Sequence, residues 1–138
     1  MSDFNTRVID EFRANGGAVH QFGTDLVLLH TVGAQSGAER LHPVLAIRDG
    51  DGWLIVASKA GAPEHPAWFH NLVAQPDATI EVPDLRGGID TVPVRATVLA
   101  DTERDAAWIR FVDRSPGFDQ YKQRAAGRQI PVLRLAPR

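Results

Sequence analysis

"LVLLHTVGAQSGAERLHPVLAIRDGDGWLIVAS", residues 26–58, is the stretch that decides the fold. It holds three apolar, β-rich runs, 26–32, 41–48 and 53–58, separated by two polar connections. The second connection, Asp49-Gly50-Asp51-Gly52, has hairpin chemistry, because Gly and Asp tolerate the positive φ that tight turns require. The first runs from Gly33 to Arg40 and carries two glycines, a serine, a glutamine and an arginine. That is longer and more polar than a hairpin needs. It reads either as an ordinary surface loop or as a backbone shaped to hold something.

Working outward, Phe4, Val8, Ile9 and Phe12 share one helix face, and Asn15-Gly16-Gly17 is a stop signal. After the third run, residues 59–66 have turn composition. Pro66 suits the first turn of a short helix whose apolar positions are Trp68, Phe69, Leu72 and Val73. Residues 78–82 and 89–99 read as strands, with Pro93 fitting only an edge or a bulge. Asp101-Thr102-Glu103 opens a helix whose apolar face reads as Ala106, Ala107, Ile109, Phe111 and Val112. A further helical stretch follows Pro116, and 130–135 is a last strand. Consecutive hairpins with few crossovers predict an α+β fold on a mostly antiparallel sheet closed into a barrel. The 138 residues predict one domain, with an N-terminal helix in 1–17 and the barrel and its packed helices in 26–138.

Composition narrows the function. With 15 basic and 17 acidic residues the net charge is −2, so no basic excess points to nucleic acid. The absence of cysteine excludes disulfides, thiol catalysis and Cys-ligated metals. No signal-peptide core or membrane span is evident, which makes the cytoplasm the expected compartment. The first helix leaves open a weak peripheral contact with the inner face of the membrane, but its mixed charges make core packing the favoured reading. The five histidines show no metal-ligand spacing, so no metal is expected. "AQSGA" is not a nucleophile elbow, and neither a Walker loop nor a strand-to-helix G-x-G-x-x-G occurs.

Three polar clusters at strand ends remain. Gly33 to Arg40 offers backbone N–H groups and a guanidinium for an anion. Ala57-Ser58-Lys59-Ala60-Gly61 adds a hydroxyl and an ammonium group. His65 to Asn71 mixes aromatic surface with polar tips. Together they suit a planar, phosphate-bearing ligand. Each cluster alone also reads as loop, solvated surface or core staple.

At these clusters the chain resembles the actinobacterial deazaflavin-dependent nitroreductase and quinone reductase family, whose cofactor is the 8-hydroxy-5-deazaflavin coenzyme F-420. "LLHTVGAQSGAERLHPVL" is similar to the family's strand, T-x-G-x-K-[ST]-G loop, Arg and Pro strand. "DGDGWLIVASKAGAPEHPAWFHNLVAQPDATIEV" resembles its D-G turn, A-S-K-x-G, P-x-W-[YF]-x-N-L and N-P pattern. "SPGFDQYKQRAAGRQIPVLRL" resembles its P-x-[YF]-x-x-Y and R-x-I-P-V segment. The resemblance implies a split β-barrel and hydride transfer from the reduced deazaflavin to a quinone, nitroaromatic or activated enone. It implies that Gly33, Gln35, Ser36, Gly37 and Arg40 hold the phosphorylated tail and that Pro43 shapes the pocket. Ala57, Ser58, Lys59, Ala60 and Gly61 would run along the cofactor, and Pro66, Trp68 and Asn71 would complete its wall. Phe118 and Tyr121 would line the acceptor pocket, with Ser58 and Tyr121 polarising the acceptor. Two positions depart from the pattern: Gln35 stands where the family has Lys, and Phe118 where it often has Tyr. An FMN-binding split-barrel flavoprotein and a non-catalytic carrier of deazaflavin or a lipophilic ligand are the competing readings. A homodimer is also left open.

Overall fold

The computed structural model describes residues 3–58, 65–115, 117, 118, 120 and 129–138. Its helices are α1 (Asp3–Ala14), α2 (Ala67–Ala74) and α3 (Asp101–Arg114). Its strands are β1 (Leu26–Val32), β2 (Glu39–Asp49), β3 (Gly52–Val56), β4 (Asp77–Pro83), β5 (Ile89–Val98) and β6 (Val132–Pro137). The strands close into an antiparallel barrel in the order β1-β2-β3-β6-β5-β4. The expected α+β barrel is therefore present, with the last strand two residues further on than the sequence indicates.

Strand β1 explains the unbroken apolar run at 26–29. Val27 and Leu29 face the barrel interior with Ile55, Ile80, Val94 and Leu133. Leu26 and Leu28 face outward under α1, against Val8, Ile9 and Phe12. A strand covered on both faces has no polar alternation to show. The apolar face of α1 is thus committed to the core, and only Phe4, at 46% exposure, projects from it. Among the described residues no helix is long and apolar enough to cross a membrane.

Helix α3 packs on the outer face of β3 and β6, but not through the face expected. Its buried positions are Arg104, Ala107, Trp108 and Phe111, while Ile109 is 57% exposed. These four follow the i, i+3, i+4, i+7 rule, which a count of apolar residues alone cannot find when one member is an arginine.

Strand β2 has two partners. Residues 39–45 pair with β1, whereas β3 is joined only through Ala46–Asp49. Upstream of Ala46, β2 and the chain leaving β3 part, and a cleft opens in the wall. The Ala46 N–H donates to Asp25 O on the β1 side, so by strand alternation Leu41, Pro43 and Leu45 turn their main-chain groups toward the cleft. Pro43 therefore removes no ladder bond. Pro93 is accommodated by the same logic: its carbonyl accepts from Arg138 N–H, so its missing donor faces the end of β6.

One ionic node ties α1, β1 and β4 together. Glu81 accepts from Arg13 Nη2 at 2.8 Å and lies 2.6 Å from His30 Nε2, while His30 Nδ1 lies 2.6 Å from Glu39. Burial raises the Glu81 pKa, but the bonds from Arg13 and His30 outweigh it and hold the carboxyl below its usual value. A carboxyl depressed by folding stabilises above its unfolded pKa of about 4.3 and loses that contribution as pH falls through the folded value. Glu81→Gln is therefore expected to be less stable than wild type by about 1–2 kcal/mol at pH 7, with the gap closing below about pH 4. Urea unfolding at both pH values checks this; a gap of equal size at each would refute it.

Candidate functional site

The loop from Gly33 to Arg40 is fixed mainly by its own backbone. Gly33 N–H donates to Ala38 O at 2.7 Å, and Gly37 N–H to Gly33 O at 2.9 Å. Gly37 sits at φ +70°, where a β-carbon is strained, and a β-carbon at Gly33 would lie 2.6 Å from Ser36 Oγ. Ser36 Oγ accepts from Ala38 N–H at 3.2 Å and from Arg40 Nη2 at 3.5 Å. These bonds leave the N–H groups of Gln35 and Ser36 as the uncommitted donors of the segment Gly33–Ala38 among the described residues. The anion-binding part of its backbone is thus narrower than a run of amides.

Helix α2 pins the loop from the side. Ala34 N–H donates to Asn71 Oδ1 at 2.9 Å, and Asn71 Nδ2 donates to Thr31 Oγ1 at 3.1 Å. Both Asn71 and Thr31 are buried. Pro66 stands at the N-cap of α2 rather than in its first turn, with extended ψ 153°. Trp68 and Leu72 then drop into the barrel core.

Three cavities follow the cleft. The first, about 560 Å³, is lined by Gly33, Gln35, Ser36, Arg40, His42, His70 and Asn71. The second, about 470 Å³, is lined by His42, Pro43, Ser58, Pro66, Trp68 and Phe118. They meet at His42 and Ala67, which line both. The third, about 550 Å³, shares Leu45, Ser58 and Phe118 with the second and adds Phe22, Asp25 and Arg114. Each has the volume of a small-molecule site.

The groove brings together most of the residues singled out in the sequence. Gly33, Gln35, Ser36, Arg40 and Asn71 lie at one end, and Pro43, Ser58, Pro66, Trp68 and Phe118 toward the other. Gly37 supports the loop without lining a cavity. Ala57 is fully buried in the barrel core and donates its N–H to Pro131 O. Phe118 has a second occupation, stacking edge-on against Trp108 at 6.0 Å and Phe111 at 5.8 Å. Lys59, Ala60, Gly61 and Tyr121 lie outside the described residues.

The sequence reading missed the wall of the third cavity. Residues 19–23 form a small bridge between Val19 and Gly23, and Asp25 pairs with Arg114 at the end of α3. Nothing local marks this, because the two segments meet only once the barrel is closed. It also gave His42 no assigned place in the groove.

The electrostatics separate the two ends. Among the described lining residues of the first cavity the charge-bearing groups are Arg40, His42 and His70, with no carboxylate. The His42 imidazole is held below its ordinary pKa, first by burial and then by the Arg40 cation. A cavity walled by bases suits an acidic group, and the second, with Pro43, Pro66, Trp68 and Phe118 in its wall, offers flat surface to a planar ring.

The F420H(2)-dependent quinone reductase family matches residues 5–137 of the chain. An F420H(2)-dependent quinone reductase of Mycobacterium tuberculosis is 39% identical over 113 residues, which is 81% of this chain and 73% of that protein. A solved F420-H2 dependent reductase superposes with a TM-score of 0.69 at 31% identity, over 80% of this chain and 93% of that one. A second structure, described as a domain-swapped dimer, superposes with a TM-score of 0.72 at 31% identity, over 94% of this chain and 92% of that one. These matches decide between deazaflavin and FMN, which the residues alone leave open. The chain belongs to the F420H(2)-dependent quinone reductase family, and is an oxidoreductase whose hydride donor is the reduced deazaflavin coenzyme F-420.

Proposed function

We propose that the acidic tail of the deazaflavin lies in the base-lined first cavity, its ring in the second, and a quinone acceptor in the third. The observation that carries this reading is the continuity of the groove, in which Ser58 and Phe118 line both the second and third cavities. Gly33, Gln35, Ser36, Gly37 and Arg40 shape and charge the tail site. Pro43, Pro66 and Trp68 wall the ring, and Lys59, Ala60 and Gly61 are assigned to the same cofactor side. When bound, the cofactor supplies a hydride from carbon, and the chain's own task is placement and electrostatics.

Ser58 and Tyr121 are assigned to meet the negative charge that develops on the acceptor oxygen. Ser58→Ala and Tyr121→Phe are expected to lower kcat with a quinone by about tenfold or more each. Unchanged steady-state kinetics in both variants would remove the assignment. Nitroaromatics and activated enones are proposed as further acceptors. Nitro compounds should turn over slowly, because Phe118 has no hydroxyl to donate.

Fluorescence titration with oxidised coenzyme F-420, with FMN in parallel, tests the site. Micromolar or tighter deazaflavin binding with negligible FMN binding is the expected result. Gln35→Lys restores a cation at the tail and is expected to tighten binding by about five- to thirtyfold, which is roughly 1–2 kcal/mol. No gain would place residue 35 away from the anion. We further propose a homodimer, for which sedimentation of the purified chain is the check.

A further inference from the structure

We propose that His42 is an anion-binding residue of the groove that takes up a proton as the phosphorylated tail of the cofactor enters. The proposal rests on the deazaflavin reading above. His42 follows Arg40 by two residues on β2, so both side chains project from the same face of the strand. That face is the inner one, since His42 pairs across β1 with Leu29, a residue of the barrel core. The His42 side chain lines both the first and second cavities, at their junction. It is half-buried, and among the described residues its ring has no hydrogen-bond partner.

The surrounding charges have one sign. Arg40 stands on the same strand, and His70 faces the first cavity from α2. The other polar groups reaching the two cavities near His42, Asn71 from α2, Asn5 from α1 and Ser58 beyond β3, are neutral. On β1 the titratable neighbour is His30, which pairs with Leu41 and so lies on the opposite face, bound to Glu39 and Glu81. No described carboxylate therefore compensates a charge on His42. In the free groove, burial and Arg40 both disfavour the imidazolium. A phosphate lying between the two side chains reverses the balance, because the anion then offsets both cations. Ligand affinity must consequently rise as pH falls, by at most about tenfold per unit for one proton taken up. The dependence spans the interval between the depressed pKa of free His42 and its higher value in the complex.

The test is calorimetric titration of the full chain with oxidised coenzyme F-420 near pH 7, in buffers of different ionisation enthalpy. The ionisable hydroxyl of the cofactor contributes equally to each variant, so the difference between variants is what is read. Proton uptake is expected to be lower by about half a proton or more in His42→Gln than in wild type, and unchanged in His20→Gln, whose histidine lines none of the three cavities. In wild type the His42 Cε1–H resonance should move to the imidazolium position on saturation with cofactor, a measurement that needs no variant. Equal uptake in His42→Gln and wild type, or a His42 resonance that stays neutral in the complex, overturns the proposal. Absence of any binding heat in wild type overturns instead the deazaflavin reading of the groove, and the proposal with it.

Discussion

Replacing Arg104 by methionine will cost about 3 kcal/mol of stability and lower the melting temperature by roughly 10 °C. The arginine side chain is 9% exposed. Its Nε and Nη2 both donate to Ile130 O, at 3.0 and 2.7 Å, and Nη1 reaches Asp105 at 3.1 Å. The guanidinium also lies 5.1 Å from the centre of the Trp108 ring. A buried guanidinium is tolerated only when its donors are used, and here it clasps the chain just before β6 onto α3. Methionine keeps much of the apolar stem against Trp108 but leaves the Ile130 carbonyl without its donors. An orphaned buried acceptor costs about 1–3 kcal/mol, and loss of charge-assisted bonds adds to it. Lysine keeps the charge but not the planar fork, so Arg104→Lys should recover less than half of the loss. Thermal and urea unfolding of the three proteins checks this. A loss under about 0.5 kcal/mol in Arg104→Met would mean that the carbonyl is readily satisfied by water.

The second large effect is expected at Asn71. Asn71→Leu should weaken cofactor binding by about ten- to a hundredfold, equivalent to roughly 1.4–2.7 kcal/mol. Asn71 is buried and its amide serves two elements at once, holding Ala34 N–H of the loop and the Thr31 hydroxyl of β1. Leucine fills the space but offers neither bond, so the loop loses its lateral anchor and the Ala34 donor loses its acceptor. Asn71→Asp keeps an acceptor for Ala34 but brings a carboxylate into the wall of the tail cavity and removes the donor to Thr31, so it should weaken binding at least as much. Thr31→Val, which removes only the bond further from the loop, should change affinity by less than about threefold. If Asn71→Leu and wild type bind oxidised deazaflavin equally, the loop holds its shape without the helix.

The residues explain which parts of this molecule are legible in advance. The strands announce themselves because each buries at least one face, and the Asp-Gly hairpin follows from turn stereochemistry. The loop from Gly33 to Arg40 is equally visible, since two glycines flanking polar residues between strands have few structural reasons. The inner face of α3 is harder to see, because Arg104 counts as polar in a pattern yet is buried by its bonds to a carbonyl 26 residues away. The third cavity is hidden for the same reason, as Asp25 and Arg114 meet through barrel closure and not through local spacing. Asn71 is conspicuous beside Trp68, but its partners are not. The sequence places it near a ligand, and it lines the first cavity while its amide also holds the loop in place.

The parting of β2 from β3 has a consequence for how such a protein changes over time. Along 39–45, among the described residues, the cleft side of β2 has no strand partner, so Pro43 and Leu45, which line the second cavity, present main chain to whatever occupies the groove. Peptide groups do not mutate. A ligand read through them is indifferent to which side chains stand at those positions, provided the strand keeps its course. Drift can then rewrite the surroundings while the floor of the groove keeps its pattern of donors and acceptors, and sequences that differ at most positions can retain one specificity.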